Sequence, residues 1–97
     1  MRDDRFEWDD DKARANLAKH KIAFEGAKQV FDDPDWTDDP DDTLDYGEER
    51  YLAVGLVNGV PIAVLYTFRG DRRRLISARR ATRTEEKNYA RRKGLGT

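Results

Sequence analysis

The feature that most constrains this chain is Asn58-Gly59, set between two stretches that read as strands. Both residue types tolerate the positive φ of a two-residue hairpin turn, so the dipeptide implies an antiparallel pair. Before it, Leu52, Val54 and Leu56 alternate with Tyr51, Ala53 and Gly55, the pattern of a half-buried strand. After it, Val60 to Phe68 is apolar on both faces, as suits a central strand covered on both sides. Pro61 stands near the start of that strand, where a missing N–H is tolerable. Gly70-Asp71 turns the chain again, and Arg72-Arg73-Arg74 opens a third strand that continues through Ala81. Strict alternation along it places Leu75, Ser77 and Arg79 on one face and Ile76, Ala78 and Arg80 on the other.

The remaining elements follow from caps and breakers. Thr82 and Glu85 have capping-box spacing, predicting a helix from about Arg83 to Lys93, with Gly94 as its stop and a basic last turn. Upstream, Met1 to Arg5 reads as a loose polar lead-in, and Phe6-Glu7-Trp8 as a short edge strand. Asp9, Asp10 or Asp11 caps a helix running to about Lys19, with Ala13, Leu17 and His20 on one face and Asn16 beside them. A second short helix runs from Phe24 or Glu25 to Phe31, its stripe of Phe24, Ala27, Val30 and Phe31 turned to the core, and ends before Asp33-Pro34. Asp32 to Asp45 is an acidic, low-complexity loop with Trp36, Pro34 and Pro40. It lacks the glycine and terminal glutamate of a calcium loop, which excludes an EF-hand. It is a solvated loop, a dock for a basic partner segment, or a mask over the chain's own arginines. The expectation is one α+β domain over residues 1–97, ordered β-α-α-β-β-β-α. A small antiparallel sheet carries helices packed on one face.

Charge sharpens the functional reading. Residues 1–50 hold 8 Lys+Arg against 17 Asp+Glu, a net of −9, whereas residues 51–97 hold 11 against 3, a net of +8. Cations gathered in one half point to a surface for a polyanion, unless the halves neutralise each other in the fold. Hydrophobic residues make up 37% against 40% charged, and mean hydropathy is −0.99, so the core is thin and a partner covering part of it is expected. The chain has no cysteine and a single histidine, which leaves only carboxylates as metal ligands. No metal and no cofactor are therefore expected. No apolar run is long enough for an export signal or a membrane span, and a reducing cytoplasm fits the absence of thiols.

Two arginines end the third strand immediately before a helix N-terminus. An arginine in the last turn of a core strand needs a partner, because its guanidinium cannot be neutralised. Arg79 or Arg80 either holds one of the chain's carboxylates or presents its planar fork, beside free helix N–H groups, to a phosphate. His20 is likewise either a satisfied structural residue or, flanked by Lys19 and Lys21, a proton-transfer group.

The run Ile76-Ser77-Ala78-Arg79-Arg80-Ala81, followed by Glu85 and Tyr89, resembles the signature end of the BrnT family of bacterial type II toxins. Trp8-Asp9, Lys12, Asn16, Lys19-His20 and Ile22-Ala23-Phe24-Glu25 are similar to the family's first half. Gly47-Glu48-x-Arg50 and Thr67-x-Arg69-Gly70 resemble its middle. Lys21 stands where a glycine is usual, which bears on the tightness of that turn. The resemblance implies a RelE-like fold and a cytoplasmic, metal-independent endoribonuclease of the mRNA interferase type, which blocks translation and arrests growth. It implies Arg69, Arg79 and Arg80 as phosphate ligands, His20 and Glu48 as base or acid, and Tyr89 as a stacking or proton-donating group. It further implies a ribbon-helix-helix antitoxin resembling BrnA, in a heterotetramer of two toxins and two antitoxins that reaches operator DNA only through the antitoxin. The alternative, on the same arginines, is a non-catalytic module of a regulatory complex that binds nucleic acid or protein.

Overall fold

The hairpin forms as Asn58-Gly59 requires, with φ of 52° at Asn58 and 79° at Gly59 and pairing from Val57–Val60 out to Tyr51–Tyr66. The computed structural model describes residues 1–41 and 48–94. The elements are β1 (Phe6–Glu7), α1 (Asp10–His20), α2 (Phe24–Ala27), a 3-10 turn (Lys28–Asp32), β2 (Thr37–Pro40), β3 (Tyr51–Val57), β4 (Val60–Arg69), β5 (Arg72–Arg80) and α3 (Arg83–Arg92). They make a mixed α+β fold whose five-stranded sheet has the order β1-β5-β4-β3-β2. β1 lies on one edge, parallel to β5, and the other neighbours are antiparallel.

Several expectations are corrected. The acidic run is not all loop, because Thr37–Pro40 pairs with β3 as an edge strand. Backbone pairing needs no apolar side chain, and the Tyr66 hydroxyl fixes the strand by donating to Asp38 at 2.8 Å. Burial and that carboxylate, opposed by Arg73, push the Tyr66 phenol up to about 12. The rest of the run, Asp42 to Asp45, and Tyr46-Gly47 after it lie outside the described residues. The lead-in is not loose either. Trp8 N–H donates to the Met1 carbonyl at 2.9 Å, the terminal ammonium donates back to Trp8 at 3.0 Å, and Asp3 accepts from the N–H groups of Phe6 and Arg5.

Helices cover both faces of the sheet, not one. The larger core lies under α1, α2 and the 3-10 turn, where Phe24, Val30, Val64, Tyr66 and Leu75 are almost wholly buried. The turn reaches β3 because Gly55 has no side chain, and a Cβ there would meet the Val30 carbonyl at 3.0 Å. The predicted second helix therefore shortens to one α-turn before tightening into the 3-10 turn. On the opposite face, α3 lays Tyr89 on Val54 and Ala63. α1 turns Asn16 inward and leaves Leu17 49% exposed, so its buried face is centred one residue from the apolar stripe.

The alternation expected in β5 also breaks. Leu65 pairs with Ser77 but Tyr66 pairs with Leu75, leaving Ile76 as the extra residue of a bulge. Leu75 and Ala78 consequently share the larger core, while Ser77 and Arg79 face the other way. At the end of α1, Lys21 takes the left-handed conformation (φ 61°, ψ 28°) and its N–H donates to the Leu17 carbonyl at 2.9 Å. The tight turn forms without the glycine.

Candidate functional site

Strand register lays out the face that carries α3. Thr37, Val54, Ala63 and Arg79 stand in one row across β2, β3, β4 and β5, and Asp39, Leu52, Leu65 and Ser77 stand in the next. Tyr89 covers the first row. The second row is half-buried and floors a cleft of about 270 Å³, lined also by Arg79 and Glu85 on one side and by Pro40 and Asp41 on the other.

Arg79 is held by the cap of the helix that follows it. Its two terminal nitrogens donate to the two Glu85 oxygens at 2.8 and 2.9 Å, and one donates also to the Arg80 carbonyl at 3.2 Å. Glu85 in turn accepts from the Thr82 N–H at 2.9 Å, while the Thr82 hydroxyl accepts from the Glu85 N–H, so the predicted capping box is present. The Arg79 hydrogen bonds, against the opposing effect of burial, hold the Glu85 carboxyl below its ordinary range. Glu85 also raises the Arg79 pKa, so the guanidinium is firmly charged. The ion-pair reading is thus realised at Arg79, whose side chain stays 36% exposed to the cleft. Arg80 pairs across the strands with Ile62, on the other face, and is exposed.

His20 ends α1 and lines a second cleft, of about 290 Å³, with Lys12, Ala15, Asn16, Lys19, Ile76 and Ser77. Ser77 belongs to both clefts, so the Arg79 and His20 clefts meet across one residue of β5. Ile76, the extra residue of the bulge, lies beside Ser77 in the lining of the His20 cleft.

The other expected residues lie apart. Glu48 sits 3.6 Å from Arg50 and 3.6 Å from Arg69. Ala63, the cross-strand partner of Arg79, precedes Arg69 by six residues of β4, or roughly 20 Å of extended chain. Glu48 and Arg69 therefore do not share a phosphate with Arg79. Tyr89 is buried and donates at 2.7 Å to Asp33, whose same oxygen accepts the Leu56 N–H at 2.8 Å. Burial first, and the Asp33 hydrogen bond second, raise the Tyr89 pKa strongly and keep the phenol protonated. Tyr89 thus stands on the inward side of α3, packed on Val54 and Ala63.

Sequence reasoning missed three participants. Glu85 reads as a cap and as part of the family-like run, although a helix starting four residues after Arg79 brings its third position back to the guanidinium. Asn16 reads as a bystander, yet its amide pairs with both backbone groups of Ala78. The acidic run supplies one wall of the Arg79 cleft and ties to α3 and its C-cap through Asp39–Arg92 at 2.7 Å and Asp35–Lys93 at 3.6 Å. Of the three readings of the acidic run, these contacts favour masking.

Among the described residues, no group of three or more His, Cys, Asp or Glu is placed to hold a metal ion, and no helix is long and apolar enough to cross a membrane. A search of curated proteins gives no match. A family model described as "Ribonuclease toxin, BrnT, of type II toxin-antitoxin system" matches residues 8–85 of the 97.

Proposed function

The chain belongs to the BrnT family of ribonuclease toxins of type II toxin-antitoxin systems, and from that premise we propose that it cuts RNA at the junction of its two clefts. The observation that carries this reading is Ser77, which brings the Arg79 cleft and the His20 cleft to the two sides of one strand residue.

RNA carries its own nucleophile. The 2′-oxygen attacks the adjacent phosphorus, the new O2′–P bond forms as the P–O5′ bond breaks, and the products end in a 2′,3′-cyclic phosphate and a 5′-hydroxyl. The reaction needs a base for the 2′-proton, an acid for the leaving 5′-oxygen, and cationic donors for the phosphorane. Arg79, oriented by Glu85, supplies fixed positive charge and retains N–H groups beyond those spent on the carboxylate. His20 supplies proton transfer from the α1 side. Glu85 is engaged by Arg79 and Thr82 and acts as a positioning residue. Glu48 pairs with Arg50 and Arg69 near the far end of β4, and Arg80 contributes charge at the margin of the site. Cleavage on these residues requires no metal, and RNA cutting of this kind blocks translation.

A family of this type implies an antitoxin partner. We assign it the open row of Leu52 and Leu65, apolar between the cations of β5 and the carboxylates of β2. A ribbon-helix-helix protein resembling BrnA, in an assembly of two toxins and two antitoxins that touches operator DNA through the antitoxin, fits this reading. One observation favours a second reading. The two-pronged Arg79–Glu85 pair occupies one edge of the guanidinium, as in a module that grips a phosphate without turning it over.

The experiment is RNA cleavage by the purified chain in EDTA, with and without an equimolar ribbon-helix-helix protein from an adjacent reading frame. Cleavage in EDTA that the partner abolishes supports the toxin reading. Binding without cleavage supports the second, and cleavage that persists in the saturated complex removes the antitoxin from this face.

A further inference from the structure

The cleft beside α1 contains more cationic surface than the chemistry uses. Its lining has three basic side chains, Lys12, Lys19 and His20, and no carboxylate, in a chain whose first half is strongly acidic. Lys12 and Lys19 are exposed and lie seven residues apart on one helix, about 10 Å along its axis at 1.5 Å per residue. Two turns of helix thus present both ammonium groups along the side of β5. The nearby acids are otherwise engaged: Asp10 receives the terminal ammonium at 3.1 Å, Asp11 pairs with Arg14, and Asp9 caps the helix N–H groups.

The groove is also anchored by a buried side chain. Asn16, between the two lysines, is 6% exposed, and its amide is fixed at 2.9 and 3.0 Å on Ala78 and at 3.0 Å on the Ile22 carbonyl. These bonds tie α1 to β5 and set the helix beside Ile76 and Ser77. The contrast with the neighbouring cleft is chemical. There Asp39 and Asp41 share the cleft with Arg79 and repel a second phosphate, whereas no carboxylate lines the α1 cleft.

We propose that Lys12 and Lys19 form a phosphate-binding track for the single-stranded RNA on the α1 side of Ser77, holding the backbone phosphates next to the one at Arg79. This rests on the reading of Arg79 and Ser77 given under Proposed function. Ammonium groups on flexible stems suit it, since a track must grip phosphates of any sequence without reading bases.

The test uses a twelve-nucleotide 2′-O-methylated RNA, which binds but lacks the attacking hydroxyl. Its affinity is measured against salt for the full-length parent and for Lys12→Gln/Lys19→Gln. Each single-strand phosphate contact contributes about 0.7 to the slope of log K against log salt, so losing two should lower the slope by roughly 1.4. A four-nucleotide RNA, too short to span both clefts, should show a smaller change. Circular dichroism and the denaturation midpoint of the variant monitor its fold, and Lys12→Arg/Lys19→Arg should restore the slope. An unchanged slope on the twelve-mer overturns the track. So does an unchanged slope with weakened binding of an acidic protein segment, which would give the groove to a protein partner. Arg79→Ala is assayed in parallel for cleavage of unmodified RNA. If that variant cuts RNA normally the catalytic reading fails, and if it does not cut while the lysine slope is unchanged only the track fails.

Discussion

The Asn16 side chain completes the edge of β5 at Ala78: its amide nitrogen donates to the Ala78 carbonyl at 2.9 Å and its oxygen accepts the Ala78 N–H at 3.0 Å. β1 covers only Arg73 and Arg74 of that edge, so one side chain pairs where a sixth strand would have. Asn16→Ala would leave two buried backbone groups unpaired, at about 1–3 kcal/mol each. A loss of about 2–4 kcal/mol in urea denaturation is expected, a large share of a small domain's stability. Asn16→Asp should not rescue it, because a carboxylate cannot donate to the Ala78 carbonyl. A loss below about 1 kcal/mol would show that solvent reaches this edge.

Lys21 predicts a gain. Its left-handed backbone costs a side-chain-bearing residue about 1 kcal/mol that glycine avoids. Lys21→Gly should raise stability by about that amount, less the entropy glycine adds to the unfolded chain. An unchanged or lower urea midpoint would mean that the Lys21 side chain contributes as much as the strain removes.

Glu85 predicts an acid sensitivity. Its folded-state pKa lies below the ordinary value of 4.5, chiefly through the Arg79 hydrogen bonds. The stability it contributes is fully present above that ordinary value and is lost as pH falls through the depressed one. Glu85→Gln should therefore lower stability at pH 7 and leave a smaller difference from the parent near pH 3. A constant difference across that range would show that charge is not the source of the effect.

These three residues also show what the sequence could and could not disclose. The hairpin at Asn58-Gly59, the Thr82–Glu85 cap and the Phe24 to Phe31 stripe are local, and backbone preference or periodicity states them outright. β2 was hidden because an aspartate-rich strand has no apolar alternation, and what holds it is pairing with β3 and the distant Tyr66 hydroxyl. The Ile76 bulge was hidden because period-two counting assumes no extra residue, and it moved Leu75 away from Ser77. For the site, the residue types were legible and their grouping was not. Glu48 and Arg69 fall away from Arg79 because the length of β4 separates them, whereas His20 comes to the Arg79 side only through the packing of α1 against β5, which the charge pattern does not state.

Asp39 and Asp41 should restrain RNA binding, since both wall the Arg79 cleft and Asp39 also occupies Arg92. Asp39→Asn/Asp41→Asn is expected to tighten binding of single-stranded RNA on the order of threefold, within what exposed charges contribute. The gain should shrink at high salt. Weaker binding would assign the carboxylates to holding the cleft open.

The account rests most heavily on Arg79, and the direct measurement is RNA cleavage in EDTA by the parent and by Arg79→Ala, with product ends identified by mass spectrometry. The parent should yield 2′,3′-cyclic phosphate and 5′-hydroxyl ends. The variant, with a parental circular dichroism spectrum, should cut roughly a hundredfold more slowly, as expected when one transition-state donor is lost. A folded Arg79→Ala that cuts at the parental rate, or parental products ending in 3′-hydroxyls, would contradict it.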